Sequence, residues 1–307
     1  MVNVLVVGSV NMDVVTPMER LPNAGETIRS GDISLIPGGK GANAAVAAAR
    51  LGGSVSIIGA VGNDAFGDIL RKGLEDNHVN CTWLKTVQGS SGTAIILLDQ
   101  ESGQNSILVS GGANFQFELP DNITPFKQAD VILLQQEIPM DITIAAANIG
   151  KKCGKIVVLD PAPAYSETPS ELLKICDVIS PNEVELEVMT GYSGKTLESA
   201  RAGARVLLSR GVSAVAVKMG AAGGLWVDNN DEYFSPGCMI DPVDTTAAGD
   251  SFTGALALSL ASDIPPKIAL EEAIHAGALA CLKRGAQPSL PTRKELSMFM
   301  KSGIKRR

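Results

Sequence analysis

A chain of 307 residues has room for one large α/β domain or two smaller ones, each with a sizeable core. Hydrophobic residues make up 45% but aromatics only 4%, so Ala, Val, Ile and Leu must build that core, as under a helix-covered sheet rather than in an aromatic-rich β-sandwich. The net charge of -7 argues against a nucleic-acid surface, and no apolar run approaches the ~20 residues of a membrane span. Cys81, Cys153, Cys176, Cys238 and Cys281 lie far apart without C-x-x-C spacing, which reads as free thiols in a reducing compartment. The beginning Val-Asn-Val-Leu-Val-Val has no signal-peptide pattern, so the expected location is the cytoplasm.

The first predicted strand, residues 3–8, runs into Gly8-Ser-Val-Asn-Met-Asp13. Asn11 and Asp13 are two apart and face one side of an extended chain. An amide beside a carboxylate suits a vicinal diol, because each hydroxyl both donates and accepts, although such residues are also ordinary turn formers. Residues 12–37 look extended and lead to Ile36-Pro-Gly-Gly-Lys-Gly-Ala-Asn43. This stretch is neither a Walker A loop nor G-x-G-x-x-G. Gly38, Gly39 and Gly41 allow close backbone approach, and Lys40 and Asn43 bring donors that could clasp hydroxyls. The plain alternative is a glycine turn into the Ala-rich helix predicted over 41–52. A strand at 54–61 and a helix at 64–77 follow, then a second extended segment at 92–109 with a turn at Gln100–Gly103.

Strands at 131–135, 155–160, 177–180 and 213–219 then alternate with helices at 141–152, 183–190 and 196–210. This alternation predicts an α/β fold, a mostly parallel sheet with helices on both faces and ligands at the carboxyl ends of the strands. The extended insertions at about 12–37 and 92–109 predict a small β-sheet lid on a single domain covering 1–307. Glu137, just past the strand at 131–135, is at an edge suited to a hydroxyl. In Ser180-Pro-Asn-Glu-Val-Glu-Leu-Glu187, Asn182 and Glu185 are neighbours on one helical face. They could order Mg²⁺ through water, or belong to a solvated acidic helix. Val217-Lys-Met-Gly-Ala-Ala-Gly223 is a strand ending in a glycine turn, a possible nucleotide shelf.

Asp244-Thr-Thr-Ala-Ala-Gly-Asp250 feeds small residues directly into a helix predicted over 250–262. Free amides in a helix's first turn attract anions, and Ala247, Ala248 and Gly249 have no bulk to keep a phosphate away. Asp250 in that turn is expected to stay ionised and so to be a weak base on paper, or to be merely an acidic helix start. Helices over 267–283 and 292–301 close the chain, with a carbonyl-rich turn Gly285-Ala-Gln-Pro-Ser289 between them. The two histidines, His78 and His275, cannot form a metal cluster.

Together GSVNMD, GGKGAN, PNEVELE, DTTAAGDSFTGA and GAQPS resemble the ribokinase family of PfkB-type carbohydrate kinases, in the right order across nearly the whole chain. The joint presence of GSVNMD, GGKGAN and GAQPS is most similar to its ribose-phosphorylating members. The resemblance implies transfer from ATP to O5 of D-ribose, with Asp250 as base and the amides of Ala247, Ala248, Gly249 and Asp250 as an anion hole. It gives sugar contacts to Asn11, Asp13, Gly39, Lys40, Asn43 and Glu137, and Mg²⁺ and phosphate to Asn182 and Glu185. Lys218, Gly220, Gly223 and, at the adenine, His275 fall on nucleotide positions. An activating K⁺ maps to Asp244, Thr246, Ala280, Lys283, Gly285 and Ser289, and a homodimer would form through the lid. One departure is Lys218, where such kinases commonly carry Thr; another is the Ala221-Ala222 turn without the usual polar side chains. A kinase of deoxyribose, fructose or a nucleoside, and an inactive sugar-binding regulator, are the rival readings. A dehydrogenase is disfavoured because Gly8-Ser-Val-Asn is not a dinucleotide fingerprint.

Overall fold

The computed structural model describes residues 1–99, 101 and 105–302, so the predicted turn at Gln100–Gly103 lies, Glu101 apart, outside the described residues. In chain order the strands are β1 (Asn3–Val7), β2 (Asn11–Met18), β3 (Ser34–Gly38), β4 (Ser54–Gly62), β5 (Val79–Asn80), β6 (Leu84–Val87) and β7 (Gly92–Asp99). They continue as β8 (Asn105–Ser110), β9 (Val131–Leu134), β10 (Ile156–Leu159), β11 (Val178–Ile179), β12 (Ala214–Lys218), β13 (Gly223–Asp228) and β14 (Glu232–Pro236). The helices are α1 (Lys40–Arg50), α2 (Ala65–Asp76), α3 (Thr124–Gln128), α4 (Met140–Lys152), α5 (Ser170–Ile175) and α6 (Glu183–Thr190). After them come α7 (Leu197–Ser209), α8 (Ala248–Ala261), α9 (Pro266–Ala280), α10 (Ala286–Ser289) and α11 (Arg293–Lys301).

The main sheet runs β14-β13-β12-β11-β10-β9-β1-β4-β5, with β6 beside β4, and every pair from β12 to β5 is parallel. Its central strands are apolar throughout, as strands covered on both faces must be. Alternation assigns the faces: Val4, Val6 and Leu133 pack with Ala45, Leu256 and Ala273 of α1, α8 and α9. Leu5, Val7, Ile132 and Leu134 pack on the other side with Ala147 and Leu207 of α4 and α7.

A second sheet, β3-β2-β7-β8, branches off immediately after β1 and returns through β3 into α1. It has the predicted lid's position, with β2 and β7 parallel in its middle, Asn11 opposite Gly92. The predicted long elements are all present with small shifts: α8 begins earlier, at Ala248, and α9 ends at Ala280 instead of 283. The antiparallel pair β13 and β14 was not foreseen, because its leading glycines read as a turn. Among the described residues no helix is long and apolar enough to cross a membrane.

Two close approaches position the site. A side-chain carbon on Gly254 of α8 would lie 3.0 Å from both Ala44 O and Ala47 Cβ, so small residues let α1 and α8 touch at the backbone. On Gly41 such a carbon would lie 2.6 Å from Gly8 C and Ser9 N, so the start of α1 rests on the end of β1. Gly41→Ala is therefore expected to lower stability by about 1–3 kcal/mol in urea unfolding, because the clash is with backbone that must move.

Candidate active site

The residues just beyond β1, β9, β10, β11 and β12 are Gly8–Ser9, Gln135–Glu137, Asp160, Ser180–Asn182 and, ending the strand itself, Lys218. All belong to the carboxyl edge of the parallel sheet, where α/β folds bind ligands. Four features meet there.

The first is the hydroxyl clasp. Ser9 Oγ donates to Glu137 Oε2 at 2.6 Å, and the Lys40 amide donates to the same oxygen at 3.0 Å. Gly39, at φ 87°, caps α1 in a backbone conformation that favours glycine. The carboxylate of Asp13 on β2 lies against Gly38, where a side-chain carbon would come within 2.2 Å of its Oδ2. Asn11 Oδ1 accepts from Asn114 Nδ2 at 2.7 Å, and Asn114 Oδ1 accepts from the Val10 amide at 2.9 Å. Asn43 Nδ2 donates to Asp250 Oδ2 at 2.8 Å, while its buried Oδ1 has no partner among the described residues. A buried acceptor left open is ready for a ligand's hydroxyl.

The second is the start of α8. Ala247 precedes it at φ 59°, a left-handed alanine of the kind that strained functional turns retain. No side chain among the described residues caps this helix, and of its first amides Ala248 N donates to Thr245 O at 3.3 Å. Asp250 sits in that turn and is buried. Its carboxyl is pushed up to about 6, so it still ionises below neutral pH as expected but is a stronger base than a helix start implies. Burial is the main cause and Asp160 and Glu137 add to it, against the opposing pull of Lys40 and the Asn43 hydrogen bond.

The third is a cavity of about 540 Å³, within the range of nucleotide-sized sites. Lys40, Asp250 and Gly249 stand on its wall with Asn182, Glu185, Lys218, Gly220 and Gly223, and Ile240, Phe252, Ile274 and Ala278 supply apolar surface. His275 does not line it. Its ring faces into the helix packing, Nδ1 2.6 Å from Glu271 O and its edge toward Phe299 with centroids 5.9 Å apart. The neighbouring Ile274 and Gly277 take the wall instead.

Asn182 and Glu185 are not a solvated acidic pair. They form a reciprocal cap of α6, each side chain accepting from the other's amide at 2.8 Å. Glu185 is buried, which raises its carboxyl, while Lys218 pulls the other way.

The fourth is a pair of loops. Asp244 Oδ1 accepts from Thr246 N at 2.9 Å and Thr246 Oγ1 at 2.6 Å, and its Oδ2 accepts from Gly285 N at 2.8 Å. Ala280 ends α9, and Ser289 Oγ donates to Ala286 O at 2.8 Å within α10. The Lys283 side chain turns away to Glu295 at 2.8 Å, so only its backbone remains for a cation.

Sequence reasoning missed four residues that hold this site: Ser9, Asn114, Asp160 and Thr253. Asp160 could have been found, as an acid ending an apolar strand at the carboxyl edge. Asn114 lies in a short turn after the lid and carries no local signal.

Residues 1–293 match the profile of the pfkB family carbohydrate kinases. A deoxyribokinase of Salmonella typhi is 35% identical over 303 residues, covering 97% of this chain and 98% of the relative. A ribokinase of Haemophilus influenzae is 36% identical over 299 residues, covering 96% and 97%. The structure of Arabidopsis thaliana ribokinase complexed with ribose and ATP superposes with a TM-score of 0.92 at 35% identity, covering 98% of this chain and 99% of that one.

The crowding of carboxylates has a consequence for stability. Burial, then Glu137 and Asp250, push Asp13 up to about 7, against Lys40. The values for Asp13 and Asp250 exceed the ordinary 3.8, so the folded state keeps protons that the unfolded chain has released. Stability from these groups therefore falls as pH rises from about 4 to about 7. Asp13→Asn should raise the ligand-free melting temperature by about 2–5 °C at pH 8 and leave it nearly unchanged at pH 5. Equal shifts at both pH values would show that Asp13 is not held protonated by its surroundings.

Proposed function

The chain belongs to the pfkB family of carbohydrate kinases, and from that premise we propose that it transfers the γ-phosphoryl group of ATP to O5 of D-ribose. The observation that carries this reading is the hydrogen bond between Asn43 and Asp250. It ties the hydroxyl clasp to the open start of α8, so one bound sugar hydroxyl meets a base and an anion site together. Asp250 takes the hydroxyl proton as the new O–P bond forms and the bond to ADP breaks. The amides of Ala247, Ala248, Gly249 and Asp250 receive the charge on the phosphoryl oxygens. Asn11, Asp13, Gly39, Lys40, Asn43 and Glu137 hold the remaining hydroxyls, and Gly220 and Gly223 border the nucleotide.

A single carboxylate, Glu185, whose oxygens already cap a helix, fits a Mg²⁺ held mostly by water and phosphates. Bound there, the metal would neutralise polyphosphate charge. The loops joined by Asp244 and Gly285 support an activating K⁺ whose carbonyl ligands would stiffen the approach to α8. Exposed Leu35, Ile95 and Leu108 share one face of the lid and support a homodimer formed there. The five unbridged cysteines support a cytoplasmic location.

A second acceptor, 2-deoxyribose, is favoured by the deoxyribokinase among the relatives. An assay of ADP release with ribose, 2-deoxyribose and fructose, with and without K⁺, separates the readings. Ribose with K⁺ should give the highest kcat/KM; a higher value for 2-deoxyribose or fructose would replace ribose as the substrate. Because the base must be ionised, kcat/KM should fall about tenfold per pH unit below about pH 6. A profile flat from pH 5 to 8 would remove Asp250 as the titrating base.

A further inference from the structure

The site holds Asp13, Glu137, Asp250, Asp160 and Glu185 against two lysines, in a chain already at net charge -7. A polyphosphate needs local cations to enter such a field. Lys40 is shared among Asp250, Glu137, Asp160 and Glu185, which outweigh burial and keep it charged. The other cation, Lys218, has a different setting. Its Nζ lies 2.9 Å from each oxygen of Asp160 and 3.8 Å from Glu185 Oε2, and it is buried.

Asp160 is fixed in turn from α8. Thr253 Oγ1 lies 2.8 Å from Asp160 Oδ2 and 3.0 Å from Gly249 O, linking the acid to the first turn of the helix. A side-chain carbon added at Gly249 would lie 3.5 Å from Lys218 Nζ. The ammonium therefore stands beside the open amides of α8, on the wall shared with Asp250 and Glu185. The Lys218 amide also donates to Pro181 O at 2.8 Å, which sets its backbone against the loop carrying Asn182. A buried ion pair adds little stability compared with apolar residues of the same volume, so stability alone does not account for this one.

We propose that Lys218 is a catalytic residue of phosphoryl transfer, its ammonium donating to an oxygen of the phosphoryl group in flight, with Asp160 as the positioning residue that aims it. This rests on the kinase reading above. The lysine forms no covalent bond and gives up no proton; it matches charge that the amides of α8 alone would carry.

The test is a double-mutant cycle of Lys218→Met and Asp160→Asn, read by kcat, by KM for the sugar, and by binding of ADP with aluminium fluoride in the presence of ribose and Mg²⁺. Lys218→Met should cut kcat about 100-fold or more and abolish tight binding of the fluoride complex, with sugar KM within about threefold of the parent. Asp160→Asn should lower kcat by about tenfold and leave sugar KM unchanged. A purely structural ion pair predicts that the neutral pair Asp160→Asn/Lys218→Met regains parental kcat; the catalytic role predicts that it stays as slow as Lys218→Met. Should Lys218→Met alone fail to fold, the neutral pair gives the same reading. Parental kcat or parental binding of the fluoride complex in the neutral pair overturns the proposal while the kinase reading stands. Absence of ADP release by the unaltered protein with every sugar removes both.

Discussion

The close seam between α1 and α8 is the constraint on which the rest of this site depends. Glycine at 254 and alanines at 44 and 47 let the two helices meet at backbone distance, and only then can Asn43 reach Asp250. That contact does three things at once. It leaves the amide oxygen of Asn43 open, lowers the cost of burying Asp250, and fixes that carboxylate relative to the amides of its own helix. Since phosphoryl transfer is governed by position and charge, a fold that determines these distances has done much of the catalytic work.

The electrostatics explain why such a site is expensive to the apo protein. Desolvation first, and repulsion among the carboxylates second, push groups at the carboxyl edge of the sheet toward protonation, with Asp13 at about 7 and Asp250 at about 6. The strained alanine before α8 and the uncapped first turn add to this. Each of these features would become favourable on binding of the hydroxyls and phosphates proposed above. Local instability concentrated where a ligand will repay it is common in functional sites. Several neighbours, in contrast, are bonded to one another: Ser9 with Glu137, Asn114 with Asn11, and the mutual cap of Asn182 and Glu185.

Local pattern revealed the sheet and long helices because their apolar runs have unambiguous period and length. The glycine clasp and the small-residue helix start were legible for the same reason: no other residue types allow such close approach. What could not be read were relations made by tertiary contact. The raised basicity of Asp250 was not legible, since its place in a helix is local but its burial is not. His275 is one residue from the cavity wall, and a helical rotation of about 100° per residue sends it into the packing against Phe299. Asn182 and Glu185 were recognised as neighbours, yet their reciprocal capping depends on geometry that spacing alone leaves open. Asp160 was legible by its place after an apolar strand, but its partner was not. Its pairing with Lys218, 58 residues away, exists only once β10, β11 and β12 lie side by side.

If the proton of the accepted hydroxyl goes to Asp250 at the start of α8, turnover depends on a carboxylate at that position. Asp250→Asn keeps the shape of the side chain and removes its basicity. Turnover of the variant with ribose and ATP, measured beside its affinity for ribose by calorimetry, tests this most directly. With Asp250 as the base, kcat should be lower by about 10³-fold and ribose affinity within a few-fold of the parent. Turnover within tenfold of the parent would contradict it.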